Sequence, residues 1–216
     1  MSKNRVKQLV NENDLVIEKI PLGTYYTNSY LLSSPVTGES ILIDAPGEPA
    51  FLKQKLNKTN LTRLLITHSH LDHIGALEEV KKEYGVPIGV HQKDASHLNI
   101  NPDFFLFHGQ CLQLGVQNIE VLHTPGHTPG SVSFKIKNYL IAGDTIFPGG
   151  PGKTNSPENF QQIIKTIRET IFSLPENTLI FPGHGDHTVL ETEKKMFAQF
   201  EKQGYAPDLY GDVTWA

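Results

Sequence analysis

Sulfur is scarce in this sequence. Among 216 residues there are one cysteine, Cys111, and two methionines. No disulfide can form within the chain, and a single cysteine argues against a cysteine-based zinc site; Cys111 is expected to be a small buried thiol. Long apolar runs are also missing. Nothing approaches the roughly 18 consecutive apolar residues of a membrane span, and the opening MSKNRVKQLVNENDLVIEKI lacks the apolar block of a secretory signal, so the expectation is a soluble, cytoplasmic protein with no membrane partner. No lysine or arginine block forms a basic stripe, and the net charge is −4, which argues against nucleic acid as a partner. Nor is there a nucleotide-binding P-loop. Gly149-Gly150-Pro151-Gly152-Lys153-Thr154 resembles the end of one, but Phe147 stands where the motif needs glycine and Pro151 removes an amide that would cradle phosphate. With no linker, low-complexity tract or internal repeat, residues 1–216 read as a single domain with a short C-terminal helix and tail after 187.

What is present is an alternation of apolar runs and amphipathic segments. LVIEKIPLG, NSYLLSS, ILIDAPG, LTRLLIT, PIGV, CLQLGVQ, IEVLHTPG, SVSFKIKN, YLIAGDTIF and TLIFPGHG read as strands punctuated by Gly and Pro. Helices are expected near Glu48–Leu56, over Asp72–Tyr84 and, briefly, near Lys93–Leu98. Another opens at Ser156 and Pro157 as N-cap and first residue and carries the stripe Phe160, Ile163, Ile164, Ile167 and Ile171. The last has Thr188 and Glu191 as a capping box and ends at Gly204. The mixture suggests helices packed outside two sheets.

Four of the strands run into residues that ligate metals. LLIT leads into His68-Ser69-His70-Leu71-Asp72-His73, EVLHTPG into His127, YLIAG into Asp144 and TLIFPG into His184. Side chains just past strand ends converge on one sheet edge, where ligand sites commonly sit. With 10 histidines in the chain, chance would produce the His-x-His-x-Asp-His pattern roughly once in a thousand such sequences. Imidazole and carboxylate suit zinc, iron and manganese. His68 and His70 can reach one metal, and Asp72 and His73 can point at a second nearby. Seven ligands exceed one tetrahedral site and suit two divalent ions with one carboxylate shared. His91, His97, His108, His123 and His187 lack such a pattern and read as ordinary polar residues. Lys153, just beyond Asp144, is either a contact for an anionic substrate or a solvated loop lysine. Phe104, Phe105 and Phe107 either shape a pocket or pack in the core.

The set His68-x-His70-x-Asp72-His73, His127 in TPGHTPGS, Asp144 in AGDT and His184 in PGHG resembles the metallo-β-lactamase superfamily, in that family's order from about Asn28 to His184; Asn28-x-Tyr30 and Ile43-Asp44-x-x-Gly47 are similar to further family features. The resemblance implies a four-layer αβ/βα sandwich of mixed α/β class with the metals at one edge of its two sheets. It implies that His68, His70 and His127 hold one metal, that Asp72, His73 and His184 hold the other, and that Asp144 bridges. Within the superfamily the match looks like the glyoxalase II group, the hydroxyacylglutathione hydrolases. Asp144 stands where zinc β-lactamases often carry Cys, which argues against antibiotic hydrolysis. Two departures concern glutathione: only a helix and a tail follow His184, and IFPGGPGKTN lacks the Cys common in that group's loop.

The resulting expectation is hydrolysis of a small thioester. Two cations, with zinc expected and iron or manganese as alternatives, lower the pKa of a bridging water, the metal stabilises the tetrahedral oxyanion, and Asp72 orients the nucleophile and accepts its proton. A thiolate leaving group needs no dedicated acid. The alternatives are a lactonase or other small-ester hydrolase, a mononuclear-iron persulfide dioxygenase, and a metal-binding protein without activity.

Overall fold

Central strands buried on both faces carry the architecture, and edge strands are more exposed or alternate. The computed structural model describes residues 5–215. Strands β1 (Lys7–Asn11), β2 (Val16–Leu22), β3 (Thr27–Ser33) and β4 (Glu39–Ile43) are followed by helix α1 (Pro49–Leu56), strand β5 (Asn60–Leu65), the single turn α2 (Leu71–Ile74), helix α3 (Leu77–Tyr84), strand β6 (Ile88–His91), a 3₁₀ turn (Ala95–His97) and strand β7 (Phe104–Leu106). These seven strands form one sheet in sequence order, antiparallel from β1 to β4 and parallel from β4 to β7. The second half contributes β8 (Cys111–Leu114), β9 (Gln117–His123), β10 (Val132–Ile136), β11 (Tyr139–Gly143), the small hairpin β12 (Ile146–Phe147) and β13 (Gly150–Pro151), helix α4 (Pro157–Thr166) running into a π-helical turn (Ile167–Ile171), β14 (Leu179–Pro182), β15 (Thr188–Val189) and helix α5 (Leu190–Gln203). The second sheet has the order β15-β14-β11-β10-β9-β8.

Each strand's alternation assigns its residues to layers. Tyr30 and Leu32 of β3 join Ile119, Val121, Phe134, Ile141 and Phe181 in a core between the sheets. Leu31, one residue out of phase, packs with Leu42, Leu64 and Ile88 under Leu52, Leu56, Leu77 and Val80 of α1 and α3. On the far side Leu122, Leu140 and Ile180 meet Phe160, Ile163, Ile164, Ile167, Ile171 and Phe197, so the isoleucine stripe read from the sequence is core. Helix, sheet, sheet and helix form the αβ/βα sandwich. Among the described residues no helix is long and apolar enough to cross a membrane.

Local expectations fail where distant partners intervene. The helix expected over 72–84 is broken at Gly75, because the turn's backbone pairs with a neighbouring loop: Ala45 N donates to His73 O at 2.9 Å and Ala76 N to Ala45 O at 2.8 Å. Cys111 is exposed, not buried; on β8 the pattern alternates, and Leu112 and Leu114 take the inward positions. Ser156 caps α4 as expected, accepting from Asn159 N at 3.2 Å. The capping box of α5 does not form. Thr188 lies in β15, and its hydroxyl donates to Glu193 Oε1 at 2.6 Å, not to the first turn of the helix.

Glu193 is 1% exposed, and its carboxylate has a structural task. Oε2 accepts from Gly149 N and from the indole Nε1 of Trp215, each at 3.0 Å. It thereby fastens the C-terminal strap, residues 211–215, to the β12–β13 hairpin. Trp215 N also donates to Gly149 O at 2.8 Å. Removing such an acceptor strands three buried donors. Glu193→Ala is expected to lower stability by roughly 2–4 kcal/mol. Urea unfolding checks this, and emission from Trp215, the sole tryptophan, should shift to the red already in the native baseline as the strap loosens.

Candidate metal centre

The parallel pairs β4–β5 and β11–β14 place their C-terminal ends along one rim of the sandwich. The loop after β5 delivers His68 and His70 there, and α2 delivers Asp72 and His73. The second sheet supplies His127 after β9, Asp144 after β11 and His184 after β14. All seven residues singled out in the sequence come together. His68, His70 and His127 form one trio of converging ligand atoms, Asp72, His73 and His184 form another, and His68, His73 and Asp144 form a third group between them. Asp144 stands between the trios: Oδ2 is 3.6 Å from Nε2 of both His127 and His184, and Oδ1 is 3.3 Å from His73 Nε2.

Hydrogen bonds behind the rings fix which nitrogen faces the centre. His127 Nδ1 donates to Lys153 O at 2.7 Å and His184 Nδ1 to Tyr25 O at 3.3 Å. His73 Nδ1 donates to Asp44 Oδ2 at 2.7 Å. Thr67 Oγ1 gives its only proton to Asp44 Oδ2 at 2.7 Å, so the 3.0 Å contact between Thr67 Oγ1 and His68 Nδ1 must be donated by the imidazole. In each neutral ring Nε2 is therefore a lone pair aimed inward. His68 Nε2 and His127 Nε2 then lie 3.1 and 2.9 Å from His70 Nδ1, a convergence of acceptors with room for at most one shared proton. His73 Nε2 and Asp144 Oδ1 are buried without any hydrogen-bond partner among the described residues. Buried polar atoms without partners, beside converging imidazole nitrogens and carboxylate oxygens, are what a cation satisfies, and this donor set fits zinc, iron or manganese.

The electrostatics agree. Burial, reinforced by His73 and His127, pushes the His68 imidazole well below its ordinary range, and burial likewise lowers His70, leaving both neutral as metal binding requires. Burial raises Asp144 and Asp72, but the positive neighbours win: His73 lowers Asp144, and His184 with His73 lowers Asp72. Burial alone would lower His73, yet Asp144 and Asp44 together push it up to about 10. Burial lowers His184 as well, but its hydrogen bond to Asp72 and the charge of Asp144 raise it overall, so both rings respond to the negative charge that a cation would meet here.

Further residues support the seven from behind or line the space beside them. Asp44 is 2% exposed and left-handed, with φ 59°, a region aspartate tolerates better than most residues; besides His73 and the Thr67 hydroxyl it accepts from Thr67 N at 2.8 Å. Thr27 donates to Asp72 Oδ2 at 2.9 Å. Gly183 is required by close approach, since a Cβ there would lie 2.1 Å from Asp144 Oδ1. Lys153 is exposed and lines a cleft of about 380 Å³ together with His127, Asp144, Phe147, His184 and Asp212. Phe105 and Phe107 are 49% and 60% exposed at the sheet edge and do not line that cleft. Of the remaining histidines, His97, His108 and His187 are exposed.

His91 and His123 stack face to face, with centroids 4.0 Å apart and planes 4° apart. Burial and the His123 ring lower His91 from 6.5 to about 4. The unfolded chain therefore binds a proton at His91 that the folded chain refuses, and stability is lost as pH falls from about 6.5 towards about 4. His91→Gln is expected to flatten this part of the pH–stability curve, which denaturant unfolding of metal-stripped protein at pH 7 and pH 5 measures.

The chain is similar to known proteins in sequence and in fold. The sequence profile of the metallo-β-lactamase superfamily matches residues 22–184. The probable metallo-hydrolase YqgX of Bacillus subtilis is 34% identical over 198 residues, covering 82% of this chain and 93% of that protein. The hydroxyacylglutathione hydrolase GloC of Haemophilus influenzae is 34% identical over 202 residues, covering 83% and 95%. Among solved structures, the BLEG-1 B3 metallo-β-lactamase superposes with a TM-score of 0.76 at 28% identity over 83% of this chain and 96% of that one. TTHA1623 in a di-iron-bound form superposes with a TM-score of 0.70 at 26% identity over 82% and 96%. A profile match that spans all seven of the rim's candidate ligands, on the fold those structures share, means that this chain belongs to the metallo-β-lactamase superfamily.

Proposed function

We propose that this chain is a binuclear metallo-hydrolase that cleaves a small thioester. The observation that carries this reading is the pair of inward-facing trios with Asp144 between them. His68, His70 and His127 would hold one divalent cation and Asp72, His73 and His184 the second, with Asp144 standing between the two trios. Two cations so placed supply Lewis acidity and a water of lowered pKa at neutral pH.

The chain's own groups do the rest. Asp72 Oδ2, fixed by Thr27 and 3.1 Å from His184 Nε2, orients the attacking water and accepts its proton. Asp144 and the outer bonds of the histidines hold the centre rigid, so that little reorganisation accompanies the reaction. The ionisable side chains lining the cleft beyond the ligands are Lys153 and Asp212. Neither is an obvious acid for an amine or alkoxide leaving group, whereas a thiolate departs unaided. A thioester also accords with the hydroxyacylglutathione hydrolase named among the relatives. Lys153 contacts an anionic group of the substrate. Lys153→Ala is accordingly expected to raise KM several-fold, about 1 kcal/mol of binding, with kcat unchanged.

Elemental analysis of purified protein, paired with S-lactoylglutathione hydrolysis on the same sample, tests the central reading. The expected result is two zinc, iron or manganese ions per chain with turnover, and for Asp72→Ala a loss of about 10²–10⁴-fold in kcat with partial loss of metal. Two metals with activity on lactones, simple esters or β-lactams in place of the thioester keeps the hydrolase and overturns the substrate. One iron per chain with oxygen consumption on a persulfide overturns the hydrolase. Unchanged kinetics in Asp72→Ala remove that residue's role.

A further inference from the structure

The His68–His70–His127 trio is assembled from both sheets. His68 and His70 belong to the loop leaving β5 of the first sheet, and His127 to the loop between β9 and β10 of the second. Three imidazoles can share one ion only if those loops keep a fixed spacing, since ligand sets tolerate errors of about half an ångström. The side chain of Asp94, outside the centre itself, hydrogen-bonds both loops. Asp94 follows β6, is 0% exposed, and is set in place by its own amide, which donates to His91 O at 3.0 Å. Its Oδ2 accepts from Ser69 N at 2.9 Å, from Ser69 Oγ at 3.1 Å and from Thr128 Oγ1 at 2.8 Å. Its Oδ1 accepts from Gly130 N at 2.7 Å.

Ser69 lies between His68 and His70, and Thr128 is next to His127. One buried carboxylate therefore takes three donors from Ser69 and Thr128, which between them adjoin all three ligands, and a fourth from Gly130 in the same loop as His127. A carboxylate has the lone pairs for this; an amide in its place would turn its NH₂ towards donors in either orientation. The second trio does not depend on Asp94. Its cross-sheet member, His184, sits in a loop held from the first sheet by Asn28, whose Nδ2 donates to Pro182 O and Gly185 O at 3.0 Å each, by Tyr30, whose hydroxyl donates to Pro182 O at 2.6 Å, and by Lys19, whose Nζ donates to Gly185 O at 2.8 Å.

We propose that Asp94 is a positioning residue for the first cation, setting the affinity of the His68–His70–His127 trio without touching the metal and leaving the second trio unaffected. The proposal rests on the two-cation reading above. It explains why a carboxylate is buried so close to the centre without being one of its ligands, and why position 130 is glycine: a Cβ there would lie 2.3 Å from Asp94 Oδ1 and 2.6 Å from its Cγ.

The test is a Zn²⁺ titration of metal-stripped full-length protein in competition with a chromophoric chelator, which reads affinity without turnover. Asp94→Ala and Asp94→Asn are expected to weaken one binding step by about 10–100-fold, the usual effect of removing an outer-shell partner, and to leave the other within about two-fold. Gly130→Ala, which keeps the carboxylate but displaces it, should do the same. In a His70→Ala background Asp94→Ala should cost nothing more, whereas in a His184→Ala background it should retain its full effect, as coupling within one site requires. Both steps weakening together, alongside a lower melting temperature of the metal-stripped protein, would reduce Asp94 to general structural support and overturn the proposal. So would wild-type affinity in all three variants. If wild-type protein takes up a single Zn²⁺, the two-cation reading fails separately, and Asp94 is upheld or rejected by whether that single step weakens in Asp94→Ala.

Discussion

The structure depends on closing one rim between two sheets. Each sheet by itself supplies an incomplete set of ligands: the first brings His68, His70, Asp72 and His73, and the second brings His127, Asp144 and His184. The apolar core between the sheets fixes their separation through side chains such as Tyr30, Phe134 and Phe181, but apolar packing is non-directional and does not aim a nitrogen. Aim comes from polar ties across the rim. Val132 N donates to Thr67 O and Asn28 N to Gly183 O, at 2.9 and 2.7 Å, and the side chains of Asn28, Tyr30, Lys19 and Asp94 complete the seam. Such ties are strong here because their groups are buried, where an unpaired donor costs as much as a good bond gains.

Asp44 adds a constraint within the first sheet. By accepting from His73, from the Thr67 hydroxyl and from the Thr67 amide, it orders a ring of each trio at once: His73 directly, and His68 through the hydroxyl of Thr67. The consequence is electrostatic as well as geometric. Each ring is left with its acceptor nitrogen inward, and a buried convergence of acceptors is costly until positive charge enters. The upward shift of His73 to about 10 is the metal-free form of that demand. The centre is thus built for cations even though its outer ties are ordinary hydrogen bonds.

The candidate ligands stood out in the sequence because they are dense, chemically unusual and attached to strand ends, and the fold brings all seven together. The sandwich was legible because strands buried on both faces leave unbroken apolar runs, and α4 announced itself through Ser156, Pro157 and its isoleucine stripe. The misreadings share one cause, a partner far away in the chain. Gly75 ends the turn after His73 because Ala45 is beside it in space. Glu193, not Glu191, takes the hydroxyl of Thr188, because Gly149 and Trp215 need that carboxylate buried. Cys111 is exposed because its place on an edge strand gives Leu112 the inward position. Asp94 is the clearest case. Its donors come from residues 69, 128 and 130, and no window of sequence around position 94 contains them.

This separation between centre and surroundings also locates specificity. The cation sites are built from strand ends tied across the rim, whereas the cleft beside them is walled by the β12–β13 hairpin and the C-terminal strap, through Phe147, Pro151, Lys153, Asp212 and Val213. The strap owes its position to Glu193 and Trp215, neither of which touches a ligand. Changes in hairpin or strap alter what enters the cleft and leave the seven ligands in place, so one centre can serve different substrates. Lys153 and Asp212 put charges of both signs on the cleft wall, a weaker lure for a polyanion than a purely basic wall would be. The candidate ligands thus belong to the rim, and the wall of the cleft belongs to the hairpin and the strap folded over it.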